Sequence, residues 1–87
     1  MKIEKEFVLR EIAGDYILVP VGKTALDFNG LITVNEIGAF LWEKLQEDVS
    51  VEDLLAEVLK EYDVDEATAR EDIEEFIDSL RKSEIIK

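Results

Sequence analysis

The sequence predicts an α+β fold in which a three-stranded antiparallel sheet is followed by three helices, an order that suits a winged helix-turn-helix-like arrangement. Three observations predict it. The first third of the chain holds short β-branched and aromatic runs between turn residues, as strands do. The remainder holds apolar residues at helical spacing. Between the two, residues 31–34 form a strand-like run that leads straight into a helix, with no room for a loop.

The first two strands are predicted over residues 7–13 and 16–19, which are rich in apolar and β-branched side chains. Gly14 and Asp15 indicate the turn between them, so the two strands are close enough in sequence to form a hairpin. Pro20 has no N–H to donate to a strand partner. It therefore marks the end of the second strand or an edge position.

Residues 21–27 predict a loop, because glycine and polar residues interrupt the apolar pattern. Asn29 and Gly30 follow as a turn signal. The third strand is then predicted over residues 31–34, which are apolar or β-branched.

The first helix is predicted over residues 36–46. Asn35 can cap it, because its side-chain oxygen can accept from a free N–H of the first turn, and Glu36 places negative charge beside the positive end of the helix dipole. Gly38 costs roughly 1 kcal/mol inside a helix relative to alanine, which predicts close packing against a neighbouring element. Trp42 is predicted to anchor the core. The apolar face comprises Ile37, Phe40, Leu41 and Leu45.

Two further helices follow. Ser50 caps the second, which runs to about Tyr62, and Asp65 caps the third, predicted over residues 66–82. The apolar stripe of the third helix comprises Ala69, Ile73, Phe76, Ile77 and Leu80. Its outward face is acidic and comprises Glu71, Asp72, Glu74, Glu75 and Asp78.

The composition excludes several kinds of site. Eighty-seven residues predict one domain, residues 1–87. The chain has no cysteine and no histidine, which excludes disulfides, thiolate nucleophiles, the usual zinc sites and histidine general bases. Carboxylates are abundant, but no pattern indicates a pocket that would separate the pKa values of two of them. We therefore expect no catalytic residues, no metal site and no cofactor.

The net charge is −12, and residues 47–87 contribute −10 of it. Such a surface repels phosphate, so we expect no nucleic-acid partner. No apolar run approaches the length of a membrane span and no signal-peptide pattern opens the chain, so we expect no membrane association and a cytoplasmic location.

The motif FNGLITVNEIGAFLW at residues 28–42 resembles that of the PqqD family of pyrroloquinoline quinone biosynthesis and its relatives. Residues 54–65 and 76–80 also match the sequence pattern usual in this family. The resemblance covers nearly the whole chain. It implies a recognition element for ribosomally synthesised and post-translationally modified peptides (RiPPs). Such a domain binds the leader segment of a precursor peptide and presents the peptide to a modifying enzyme, often a radical SAM enzyme. Family members often end the last helix with glycine, whereas this chain has Ser83 and Glu84 there.

In the family that the sequence resembles, the leader lies as an added strand against the third strand, in the cleft between that strand and the third helix. This mode is β-augmentation, in which backbone bonds give affinity and side-chain pockets give specificity. Whether the apolar residues at the inner edge of the third helix face the groove or the core stays open. We also hypothesise that Asp72, Glu75 or Asp78 pairs with a basic residue of the leader. The predicted peptide-binding residues are Gly30, Leu31, Ile32, Thr33, Val34, Asp72, Glu75, Phe76, Ser79 and Leu80.

Two alternatives are a winged-helix DNA-binding regulator and an acyl or peptidyl carrier protein. The first is disfavoured because the presumed recognition helix is acidic on its outward face, whereas phosphate contacts need Lys and Arg. The second is suggested by size, acidity and the triplet Asp78-Ser79-Leu80, which matches the carrier attachment site. In carriers that serine begins a helix near mid-chain, whereas Ser79 is predicted inside the last helix.

Overall fold

The computed structural model describes residues 1–28 and 30–86. The predicted α+β class is confirmed, and the three predicted helices correspond to α2, α3 and α4 below. The elements are β1 (Phe7–Ile12), β2 (Asp15–Pro20), α1 (Thr24–Asp27), β3 (Ile32–Val34), α2 (Glu36–Lys44), α3 (Val51–Glu61) and α4 (Glu66–Lys82). No helix in the described ranges is long and apolar enough to cross a membrane.

The hairpin turn lies one residue earlier than predicted. β1 and β2 pair from Phe7–Pro20 to Ile12–Asp15, so Ala13 and Gly14 form the two-residue connection. Both have positive φ, 52° and 86°, as the primed turns of tight hairpins require. Glycine supplies one of these positions at low cost, and Ala13 is held in the other by the strand pairing.

The predicted loop over residues 21–27 is also wrong in part, because it contains the single-turn helix α1. Thr24 at its start is buried, and its hydroxyl oxygen accepts a hydrogen bond from the Glu6 N–H at 2.8 Å. β3 begins at Ile32, whereas the sequence placed its start at Leu31. Asn29, half of the predicted turn before β3, lies outside the described residues.

The three predicted helix caps are confirmed. The Asn35 side chain accepts from a first-turn N–H of α2 at 2.7 Å. Ser50 and Asp53 form a reciprocal capping box at the start of α3. Asp65 accepts from the backbone of Thr68 at 3.2 Å and from its hydroxyl at 2.8 Å, and these bonds lower the pKa of the Asp65 carboxyl. Each of the three long helices therefore begins at a residue whose side chain accepts a hydrogen bond from one of its free first-turn N–H groups.

The C-terminal end of α4 has a cap of the kind that glycine usually forms, although the residue at that position is Glu84. Glu84 takes the left-handed conformation, with φ 60°. Its N–H bonds the Arg81 carbonyl at 3.0 Å, and the Ile85 N–H bonds the Leu80 carbonyl at 2.9 Å. This is the Schellman pattern, in which the buried pair Leu80 and Ile85 supplies the usual apolar contact.

The sheet has the order β1-β2-β3, and one of its faces packs on the helices. The predicted role of Trp42 as a core anchor is confirmed, since it is 3% exposed and packs edge-on against Phe7. The core joins β1 and β2 to all three long helices and to the C-terminal segment. Its buried members include Phe7, Leu18, Leu41, Trp42, Leu45, Leu54, Ile73, Ile77, Leu80 and Ile85.

Candidate functional site

β3 is an edge strand. It pairs antiparallel with β2 through Tyr16–Val34, Ile17–Thr33 and Leu18–Ile32. Because the sheet order ends at β3, no strand in the described part of the chain pairs with its other side. Some of its backbone N–H and C=O groups therefore face outward without a strand partner.

The two faces of β3 have different surroundings. Ile32 lies opposite Leu18, which is fully buried, so Ile32 and Val34 lie on the face of the sheet that packs on the helices. Thr33 lies on the opposite face and is exposed. Any chain that extended this sheet would likewise place alternate side chains on the two faces.

A groove runs along the outer edge of β3. It encloses about 260 Å³, which is below the roughly 300–1,000 Å³ of most small-molecule sites. One side is formed by β3 and the start of α2, and the other by α4. The lining residues are Ile32, Thr33, Val34, Asn35, Ile37, Gly38, Asp72, Glu75, Phe76 and Ser79.

One stripe of α4 forms the outer side of this groove. Its members, Asp72, Glu75, Phe76 and Ser79, are spaced by three, one and three residues, so they share one side of the helix. We call these four residues the groove wall. Phe76 is half-buried, and the Ser79 hydroxyl donates to the Phe76 carbonyl at 3.0 Å.

The start of α2 lines the same side of the groove as β3, and Gly38 brings α2 and α4 together there. A Cβ at this position would lie 3.1 Å from the Val34 Cβ and 3.2 Å from a ring carbon of Phe76. Such distances are shorter than ordinary van der Waals contacts, so a neighbouring atom would have to move by a few tenths of an ångström. The close packing predicted for Gly38 is therefore confirmed, and it lets the Phe76 ring lie directly against α2.

The acidic side chains of the groove wall do not pair with the arginines of α4. Arg70 pairs across to α3 at 2.8 Å, and Arg81 pairs with Asp78 at 3.8 Å. Among residues 1–28 and 30–86, neither Asp72 nor Glu75 forms an ion pair. The groove wall therefore carries negative charge beside the apolar ring of Phe76.

Seven of the ten predicted peptide-binding residues line the groove, namely Ile32, Thr33, Val34, Asp72, Glu75, Phe76 and Ser79. Gly30 and Leu31 precede β3 and lie outside the lining, with Leu31 60% exposed. Leu80 also lies outside the lining. It is 1% exposed in the core, because it follows the buried Ile73 and Ile77 by seven and three residues and so faces the same way.

Three lining residues were missed by the prediction, and all belong to the start of α2: Asn35, Ile37 and Gly38. Sequence reasoning assigned them to capping and core packing. The glycine inside the helix was the signal that could have found them, since it marks the close approach that forms the end of the groove.

Comparison with solved structures gives two similar chains. One, "TbiB1 in Complex with the TbiA(beta) Leader Peptide", has a TM-score of 0.74 and 23% identity over 100% of this chain and 95% of that one. The other, "Lasso peptide synthetase B1 complexed with the leader peptide", has a TM-score of 0.71 and 18% identity over 94% and 91%. At these identities the likeness shows a shared fold. Comparison with curated proteins gave no match.

The family model described as "Coenzyme PQQ synthesis protein D (PqqD)" matches residues 15–86. The matched range runs from the start of β2 to the end of the described chain and contains both sides of the groove. The chain belongs to the PqqD family.

Proposed function

We propose that the groove binds an extended segment of a precursor peptide, its leader, as a strand added to β3. The observation that carries this proposal is that the unpaired edge of β3 lies beside a groove closed on its far side by α4. An unpaired edge offers the hydrogen bonds and the groove offers side-chain contacts, which are the two requirements of β-augmentation.

The backbone ladder contributes little by itself. β3 has three residues, and successive residues of a strand direct their N–H and C=O groups to opposite sides. At most two residues of β3 can therefore bond the peptide. At about 0.5–1.5 kcal/mol net per hydrogen bond, four bonds cannot account for tight or selective binding. The groove wall has to supply the remaining affinity and the sequence preference.

The comparisons support a peptide-binding role. The family is that of the PQQ synthesis protein D, and the two similar structures are complexes with leader peptides. In our proposal the chain, residues 1–87, is one recognition domain that catalyses nothing itself. It presents the leader to a peptide-modifying enzyme, and we propose a radical SAM enzyme as that partner.

An amide NMR titration tests the proposal. The probe is the synthetic N-terminal half of a precursor peptide that a search of the neighbouring genes identifies, added to the isotope-labelled full chain. We expect shifts concentrated on β3 and on the groove wall, with slower amide exchange on β3. Scrambled leader of the same composition is the control, because it keeps the charge and loses the order of side chains.

Two results would overturn the proposal. One is shifts that concentrate on β1 or α3 and leave β3 unchanged. The other is the absence of any shift both alone and after addition of the modifying enzyme encoded nearby, since the second titration covers recognition that needs the enzyme. Shifts on β3 with the leader and none with the scrambled control would support it.

A further inference from the structure

The geometry of an added strand fixes which peptide side chains meet the groove wall. A strand paired with β3 continues the same sheet, so its alternate side chains lie on the face of Ile32 and Val34, where α4 stands. The side chains between them lie on the exposed face of Thr33. Only every second side chain of the peptide can therefore contact α4.

The spacing of residues in the groove wall matches the two-residue repeat of inward side chains in an added strand. Asp72 precedes Phe76 by four residues, which is about 6 Å along a helix. Two residues of a strand span about 6.6–6.8 Å. For a peptide that runs along α4 in this groove, consecutive inward side chains would meet Asp72 and Phe76 in turn, with Glu75 between the two levels.

From this match we propose that the groove selects a leader segment with a Lys or Arg two residues from an apolar residue. This inference rests on the proposed function and names the substrate class of that site. The cation pairs with Asp72 and Glu75, and the apolar side chain packs on Phe76. The acids are available because the arginines of α4 pair with other carboxylates, and Phe76 is half-buried at the groove.

The net charge of −12 would attract any basic peptide. The test therefore has to distinguish ion pairs formed in the groove from the general electrostatic attraction of the whole protein. α4 offers a matched control. Glu71 and Glu74 lie on the same helix, are exposed and do not line the groove. The double variants Asp72→Asn with Glu75→Gln, and Glu71→Gln with Glu74→Gln, change the charge of one helix by the same amount.

The experiment is a glutamine scan of the basic residues of the synthetic leader, measured against wild type and both double variants at low and high salt. We expect one basic position whose replacement weakens wild-type binding about fivefold at low salt, as two partly exposed ion pairs would. The same replacement should have no effect on the groove variant and should keep its full effect on the control variant. Replacing the apolar residue two positions away should lose its effect in the Phe76→Ala protein.

The inference is overturned if the groove and control variants respond equally to every basic replacement, because the attraction is then diffuse. It is also overturned if the coupled basic and apolar residues are not two positions apart. In both cases the leader still shifts the β3 amides, so the proposed function stands. If no leader shifts those amides, the proposed function fails and the inference fails with it.

Discussion

Two neighbouring faces of α4 do different work. The core face, formed by Ala69, Ile73, Ile77 and Leu80, is at most 3% exposed and packs with the sheet and the other helices. The groove wall lies beside this face, about 100° around the helix axis. It comprises two acids, a hydroxyl and the half-buried ring of Phe76. One helix therefore closes the core and forms one side of the groove.

The difference teaches where stability and binding can be separated. Changes on the core face remove contacts that stabilise the fold, whereas Glu75 and Ser79 of the groove wall are exposed to solvent in the free protein. We therefore expect Leu80 variants to change the free energy of unfolding and Ser79 variants to change leader binding, although the two residues are adjacent.

The largest effect is expected for Leu80→Ala on the core face. Truncating a fully buried leucine typically costs about 2–5 kcal/mol, which is a large share of the stability of so small a domain. Urea unfolding should show this as a lower midpoint. Leu31→Ala is the control, because Leu31 is 60% exposed and its loss should change the free energy of unfolding by less than about 0.5 kcal/mol. Equal losses would contradict the assignment of Leu80 to the core.

Ser79→Trp on the groove wall should weaken leader binding at least about tenfold, since an indole placed there fills space that the peptide needs. Stability should change little, because Ser79 is exposed. Glu74→Trp adds the same indole on the same helix outside the groove and should bind the leader normally. Calorimetric titration of both proteins checks this. Unchanged affinity in the Ser79 variant would place the peptide elsewhere.

Gly38→Ala tests the contact between α2 and α4. Alanine is favoured inside a helix by about 1 kcal/mol, but its Cβ would crowd Val34 and Phe76, and overpacking costs about 1–3 kcal/mol. We expect a net destabilisation of about 1 kcal/mol, together with weaker leader binding because the Phe76 ring is pushed into the groove. Unfolding and binding measured on the same protein check this. A more stable variant with normal binding would refute the tight packing.

The smallest effect is expected for Glu84→Gly at the end of α4. Glu84 has positive φ, which is strained for a residue with a Cβ and normal for glycine. Glycine should therefore raise the thermal midpoint modestly, by the equivalent of about 0.5–1 kcal/mol. Glu84→Ala removes the same charge without relieving the strain, and it should leave the midpoint unchanged. A gain in both variants would point to charge as the cause.

Much of the fold follows from the sequence because it depends on local signals. The caps at Asn35, Ser50 and Asp65 are confirmed in the structure, and the predicted apolar stripe of α4 is buried except for Phe76, which is half-buried. The helix α1 was missed because four residues are too few to show a 3.6-residue period. The left-handed Ala13 was missed because its conformation is set by the pairing of β1 with β2.

The residues of the groove were harder to predict from the sequence, because they depend on how β3, α2 and α4 pack against one another. The sequence predicts the edge strand and the acidic helix, but it leaves open which of Phe76, Ile77 and Leu80 face the groove. The apolar stripe does hold the answer in part. Leu80 continues the line of Ile73 and Ile77, whereas Phe76 lies about 100° from Ile77 on its flank. Sequence spacing alone cannot say that α2 and β3 stand at that flank.

The most direct test of strand addition is a backbone N-methylation scan of the synthetic leader. Methylation removes one N–H donor at a time, and in an added strand only alternate N–H groups point at the partner strand. The account predicts that affinity for the full chain falls at every second residue over a short segment and is kept at the residues between. A loss without this alternation, or no loss anywhere, would contradict the proposal that the peptide pairs with the edge of β3.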